Sequence, residues 1–212
     1  ARDFVDATLR IDYVHTGNAK EELATLDPVY RQGIWAGSRV HLVDGCPTGN
    51  YCAKVFDVAS GSLLFSRGFD SYFGEYTTTA EAGNGVRRAY HESILAPYPK
   101  AKVRFVLERR QRDRSLKSFF STEIDPNAFT VNRQPLSSGV LVVDSLVSGD
   151  PHGKVDVVIV GEGYTAAEES TFRKDLARFT ELLFTAEPFK SAKASFNVRG
   201  VLKPSEESGC DE

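Results

Sequence analysis

The chain has 212 residues, 41% apolar and 26% charged, with a formal net charge of -3. These are ordinary values for a globular protein of one large or two small domains, and they exclude collagen, low-complexity disorder and a disulfide-packed miniprotein. No apolar run approaches the roughly 20 residues of a membrane helix, and the acidic balance argues against a nucleic-acid partner, which needs clustered Lys and Arg.

Methionine is absent and the sequence opens on Ala1. Both fit a processed chain that has lost its initiator and a signal peptide, and both fit a cleaved tag equally. Val5, Ala7, Leu9, Ile11 and Tyr13 alternate with polar residues, the period of a half-buried strand. Gly17 to Trp35 carries no clear period and reads as a helical or irregular excursion. Cys46 and Cys52 flank a turn-rich loop, Pro47 to Tyr51, so they are either a short disulfide of an oxidising compartment or two separate thiols; Cys210 is left unpaired.

Tyr51 to Asp57 and Ser62 to Arg67 flank Ala59-Ser60-Gly61 and predict a hairpin. Lys102 to Glu108 and Leu116 to Thr122 flank the polar tip Gln111 to Arg114 and predict a second. Short strands at this spacing suggest a sandwich. Breakers gather over 135–153 around Val140-Leu141-Val142-Val143, a domain junction with a strand or extended linker inside it. The expected domains are therefore a β-sandwich over 1–136, a linker over 137–153 and an α/β region over 154–212.

Val155 to Val160 is a dense β-branched run, expected to be a strand buried on both faces. Thr165 with Glu168 forms a capping-box pattern. Phe172, Leu176, Phe179, Leu182 and Leu183 follow as one helical stripe, and Pro188 ends the helix. Phe196 to Leu202 is the next strand, which makes a right-handed βαβ unit with two parallel strands. One such unit does not bury both faces of a sheet, so the region 154–212 is expected to be incomplete.

The motifs mostly have bland readings. Gly161-x-Gly163-x-x-Ala166 after a buried strand matches a dinucleotide fingerprint, but the acid expected about 20 residues on is missing and Glu162 would repel a phosphate. A tight strand-to-helix turn needs the same glycines. His91-Glu92 begins like H-E-x-x-H, but the second ligand position is Leu95. His15, His41 and His152 are scattered. No G-x-S-x-G elbow is present around Ser137-Ser138-Gly139. The basic run from Arg104 to Lys117 is diluted by Glu108 and Asp113 and reads as a solvated hairpin.

Two ordered blocks carry a resemblance. Leu64 to Ala82, together with Pro97-Tyr98-Pro99-Lys100 and the hairpin after it, is similar to the N-terminal β-sandwich of the IgA-peptidase family of bacterial zinc metallopeptidases. Val155 to Thr165, with Phe172, Asp175, Leu183-Phe184, Pro188-Phe189, Phe196-Asn197-Val198 and Ser205 to Asp211, resembles the opening of that family's catalytic domain. The resemblance implies an α+β fold, an N-terminal antiparallel β-sandwich followed by the first βαβ unit of a truncated α/β zinc-peptidase domain. It implies a secreted or periplasmic parent that hydrolyses peptide bonds, with zinc polarising the carbonyl and activating water.

The family's zinc motif lies downstream of the block ending at Ser208-Gly209-Cys210-Asp211. The resemblance therefore carries no catalytic, cofactor-binding or metal-ligating residue onto this sequence. Zinc is expected in the parent and none in this chain, which is expected to be an inactive fragment. Its expected partners are the parent's protein or peptide substrate and the missing C-terminal catalytic segment, for which apolar surface would be left exposed. The alternative is a non-catalytic sandwich module binding carbohydrate or protein, with Trp35, Tyr72, Phe73 and Tyr76 as a platform if they are not core.

Overall fold

A computed structural model describes residues 2–135 and 139–209. Cys210, Ser137, Ser138 and the boundary placed after residue 136 lie outside the described residues. The fold is α+β overall, mostly β, with several sheets and no closed barrel among the described residues. The chain divides into two compact units, Ala1–Gln134 and Pro135–Glu212.

In the first unit the alternating N-terminal segment forms β1 (Phe4–Gly17). It pairs antiparallel with β2 (Glu22–Gln32) on one side and with β5 (Arg88–Pro99) on the other. The expected hairpins are β3 (Tyr51–Asp57) with β4 (Leu63–Phe69), and β6 (Val103–Arg110) with β7 (Leu116–Ile124). They join through β3 and β6 into a second sheet of order β4-β3-β6-β7. A two-residue β8 (Val131–Asn132) runs parallel to β2, so the first sheet, β5-β1-β2-β8, is not wholly antiparallel. Two short helices, α1 (Tyr72–Tyr76) and α2 (Ala80–Gly83), connect β4 to β5. Leu9, Ile11 and Tyr13 from β1, Val55 from β3, Ala96 from β5 and Phe105 and Leu107 from β6 belong to one buried cluster, so the two sheets share a core.

The segment Gly17 to Trp35 is a strand over most of its length, not a helical excursion. Pro28 hides the signal. The register steps from Ile11↔Val29 to Tyr13↔Leu26, so Asp27 and Pro28 together oppose Asp12. A bulge of this kind takes a proline that has no N–H to give to the ladder. Pro97 sits beside another register step, between Val5 and Thr8, on the edge strand β5.

The second unit holds β9 (Leu141–Leu146), β10 (Val155–Gly161), α3 (Glu169–Leu183) and β11 (Phe196–Leu202). β10 and β11 are parallel and connected through α3, the βαβ unit expected from the sequence. The segment read as a linker contributes β9, antiparallel to β11 at the sheet's other edge. Asn197, fully buried, fastens the turn after β9: its amide oxygen accepts from the N–H groups of Ser148 (2.8 Å) and Gly149 (3.2 Å).

Two burial expectations fail here. The buried stripe of α3 is Phe172, Leu176 and Thr180, with Phe179 and Leu182 exposed. Thr180 can face inward because its hydroxyl donates to the Leu176 carbonyl at 2.8 Å. Nor is β10 buried on both faces: Val155, Val158 and Val160 are exposed. Ile159 packs against the cluster of Val143, Phe172, Leu176 and Leu202, and Val160 points to the other side.

Candidate functional site

The sequence motifs land mainly in structural roles. A Cβ on Gly161 would stand 2.7 Å from the Phe172 ring, and one on Gly200 would stand 2.5 Å from Leu176, so both glycines let α3 approach the sheet. Gly163 takes a positive φ of 73° in the turn. The chain after β11 covers that turn. Ser205 N–H donates to the Tyr164 carbonyl at 2.8 Å, and Gly209 N–H donates to the Gly163 carbonyl at 2.8 Å. The Glu168 carboxylate accepts from the N–H and hydroxyl of Thr165 and from the Ser208 hydroxyl. A carboxylate and a chain segment occupy this turn, the opposite of what a dinucleotide pyrophosphate needs.

His91 and Glu92 lie on β5, where neighbouring side chains take opposite faces. His91 is exposed and bonds Asp27 (2.9 Å), while Glu92 turns inward. Cys46 is an exposed free thiol and Cys52 a buried one, so the short disulfide is not formed. Burial pushes the Cys52 thiol up. The basic hairpin is absorbed locally, with the Arg110 guanidinium donating to the carbonyls of Gly49 and Pro47. Of the four candidate platform aromatics, Trp35, Phe73 and Tyr76 are buried and Tyr72 alone is exposed, at 75%. Trp35 packs edge-on against Phe65 and its indole N–H donates to Ser38.

Two features of the first unit have the character of a site. One is a cleft of about 760 Å³ beside α1, lined by Asn50, Asp70, Tyr72, Glu75, Tyr76 and Arg88 among others. The other is a buried polar cluster behind the same helix. His15 is 0% exposed. Its Nε2 lies 2.9 Å from Glu22 and its Nδ1 lies 3.0 Å from Glu92. Arg109 bonds Glu22 at 3.0 Å. Glu92 also accepts from the Tyr13 hydroxyl (2.8 Å) and the Phe73 N–H (3.2 Å).

The electrostatics of this cluster follow from its partners. Burial alone would lower the His15 pKa, but the two carboxylates outweigh it and the net shift is upward. Burial alone would raise Glu22, but His15 and Arg109 bring it below its ordinary value. Glu92 is likewise lowered against burial, by His15, Tyr13 and the Phe73 N–H. Tyr13 and Tyr51 are pushed up, first by burial and then by the charges of Glu92 and Glu22 respectively. Sequence reading passed over His15, although it shares the inward parity of Leu9, Ile11 and Tyr13. Its partner Glu22 sits in the segment whose strand was missed.

The described residues do not fit a zinc site. No group of three or more His, Cys, Asp or Glu among them is arranged to hold a metal ion. Both ring nitrogens of His15 are engaged by carboxylates, so neither presents a lone pair to a cation.

Two family models match in order. Residues 1–121 match the Peptidase M64 N-terminus, and residues 143–212 match IgA Peptidase M64. The chain belongs to the M64 IgA-peptidase family. M64 is a metallopeptidase family, and membership implies protein substrates. The first M64 match runs from β1 into β7 and stops before β8, and the second covers β10, α3 and β11. No curated protein matches the chain. No helix among the described residues is long and apolar enough to cross a membrane.

Proposed function

We propose that these residues form the N-terminal portion of a secreted or periplasmic zinc-dependent peptidase, in which a β-sandwich precedes an α/β catalytic scaffold. The observation that carries this reading is the pair of M64 matches in order along the chain. The sequence contains no H-E-x-x-H, and among the described residues no group of three or more His, Cys, Asp or Glu is arranged to hold a metal ion. In this reading the zinc ligands and the general base come from sequence outside these 212 residues. The chain supplies the strand-helix-strand scaffold and the sandwich, and alone it does not cleave peptides.

The test compares the purified 212-residue chain with the full product of its gene. Peptide-bond hydrolysis by the longer protein, abolished by a chelator and restored by zinc, is the expected result. Hydrolysis or stoichiometric zinc binding by the 212-residue chain overturns the assignment of the metal site elsewhere. Fractionation of the producing cells checks the location.

A further inference from the structure

We propose that His15 is held as an imidazolium between Glu22 and Glu92, that this buried cation pins α1 to the first sheet, and that loss of its proton loosens the helix and the cleft beside it. This inference does not depend on the peptidase reading.

Glu22 is paired with Arg109 and Glu92 accepts from Tyr13 and Phe73, partners that favour both as carboxylates; with both ionised, the hydrogen-bond geometry calls for the charge. An ionised carboxylate only accepts, so a nitrogen facing it must carry a proton. His15 faces one carboxylate with each nitrogen, at 2.9 and 3.0 Å. A neutral imidazole would turn a lone pair on one of them. The surroundings balance the charges: the cations His15 and Arg109 stand with the anions Glu22 and Glu92. The groups come from every element around the ring. Tyr13 is on β1, Glu22 on β2, Tyr51 on β3, Glu92 on β5 and Arg109 on β6, while α1 and β7 bring only the uncharged rings of Phe73 and Phe119. Those two rings lie 4.1 and 5.4 Å from the imidazole centroid, at 30° and 14° to its plane. Aromatic faces over a desolvated cation add attraction that a neutral ring does not receive.

The link to α1 is direct. Glu92 accepts from the Phe73 N–H with one oxygen and from His15 and Tyr13 with the other. Phe73 is therefore held through its backbone by the carboxylate and through its ring by the cation. The neighbouring residues Tyr72, Gly74, Glu75 and Tyr76 form a wall of the cleft. When the imidazole loses its proton, one carboxylate meets a lone pair, and the ring attraction for Phe73 falls.

The experiment is nitrogen NMR of the histidine-labelled 212-residue chain across pH, with hydrogen-exchange protection of residues 72–76 recorded on the same samples and corrected for base catalysis. The expected result is two protonated ring nitrogens on His15 at pH 6.5, a titration above that ordinary value, and a loss of protection at 72–76 that follows it. A predominantly neutral His15 at pH 6.5, or unchanged protection at 72–76 as His15 titrates, overturns the proposal. Glu92→Gln should lower the His15 titration and cut protection at Phe73 by about tenfold, the scale of one net hydrogen bond. His91→Gln, on the same strand but facing out, should change neither. If Glu92→Gln does not fold, the titration of the unaltered chain decides alone.

Discussion

The two units bury their apolar residues by different means. Among the described residues, nineteen side chains form the main core of the first unit, between two sheets, whereas the second has four under a single helix. Two sheets packed face to face close a core between them. In the second unit the sheet face away from α3 stays in water, as Val142, Val158 and Val160 show. Each of these valines leaves unrealised part of the about 1.5–3 kcal/mol that full burial provides. The lesson is that the same residue type, in equally regular strands, is core in one unit and surface in the other because of what lies across the sheet.

The largest test of this contrast is Phe105→Ala. Phe105 is 0% exposed between the sheets, and its truncation should cost about 3–5 kcal/mol in urea unfolding followed by Trp35 fluorescence. A loss under 1 kcal/mol would mean that the shared core is looser than drawn. Next comes Gly200→Val, which forces a branched side chain against Leu176 and Phe172. It should destabilise the second unit by about 1–3 kcal/mol, read from amide exchange in β11. If that exchange is unchanged, the close approach of helix and sheet is not what the glycine serves.

A graded effect should come from pH. The lowered pKa values of Glu22 and Glu92 give stability that is complete above their ordinary value of 4.5 and is lost as pH falls through the folded values. The raised pKa of His15 gives stability that is complete below its ordinary value of 6.5 and is lost as pH rises through the folded value. The unfolding midpoint reported by Trp35 should therefore be highest between about pH 4.5 and 6.5. A midpoint still rising at pH 8 would contradict the sign assigned to His15. The smallest effect belongs to Val160→Thr on the open face, expected within about 0.5 kcal/mol by the same amide exchange. A loss above 1 kcal/mol would show that something covers Val160 in solution.

Much of this architecture was legible in the residues. The hairpins announced themselves because polar turns separate strongly alternating runs, and the βαβ unit because a β-branched run, a cap and a helical stripe follow one another. The strand β2 was not legible. Its alternation is weak and Pro28 argues against a strand until the bulge opposite Asp12 is seen. Phe179 and Thr180 exchanged faces because hydrophobicity alone ranks a threonine as outward, whereas its hydroxyl is satisfied by the helix backbone. The buried cluster was half legible: parity turns His15 inward, but pairing it with Glu22 and Glu92 needs the register of three strands.

Gly161 and Gly200 stand on adjacent parallel strands and together make a trough for Phe172 and Leu176. In any set of relatives, small residues retained at both positions would record the thickness of that layer, not a bound nucleotide. An artificial homologue rebuilt with alanine there would need a slimmer side chain at 172 to keep the helix at its present height.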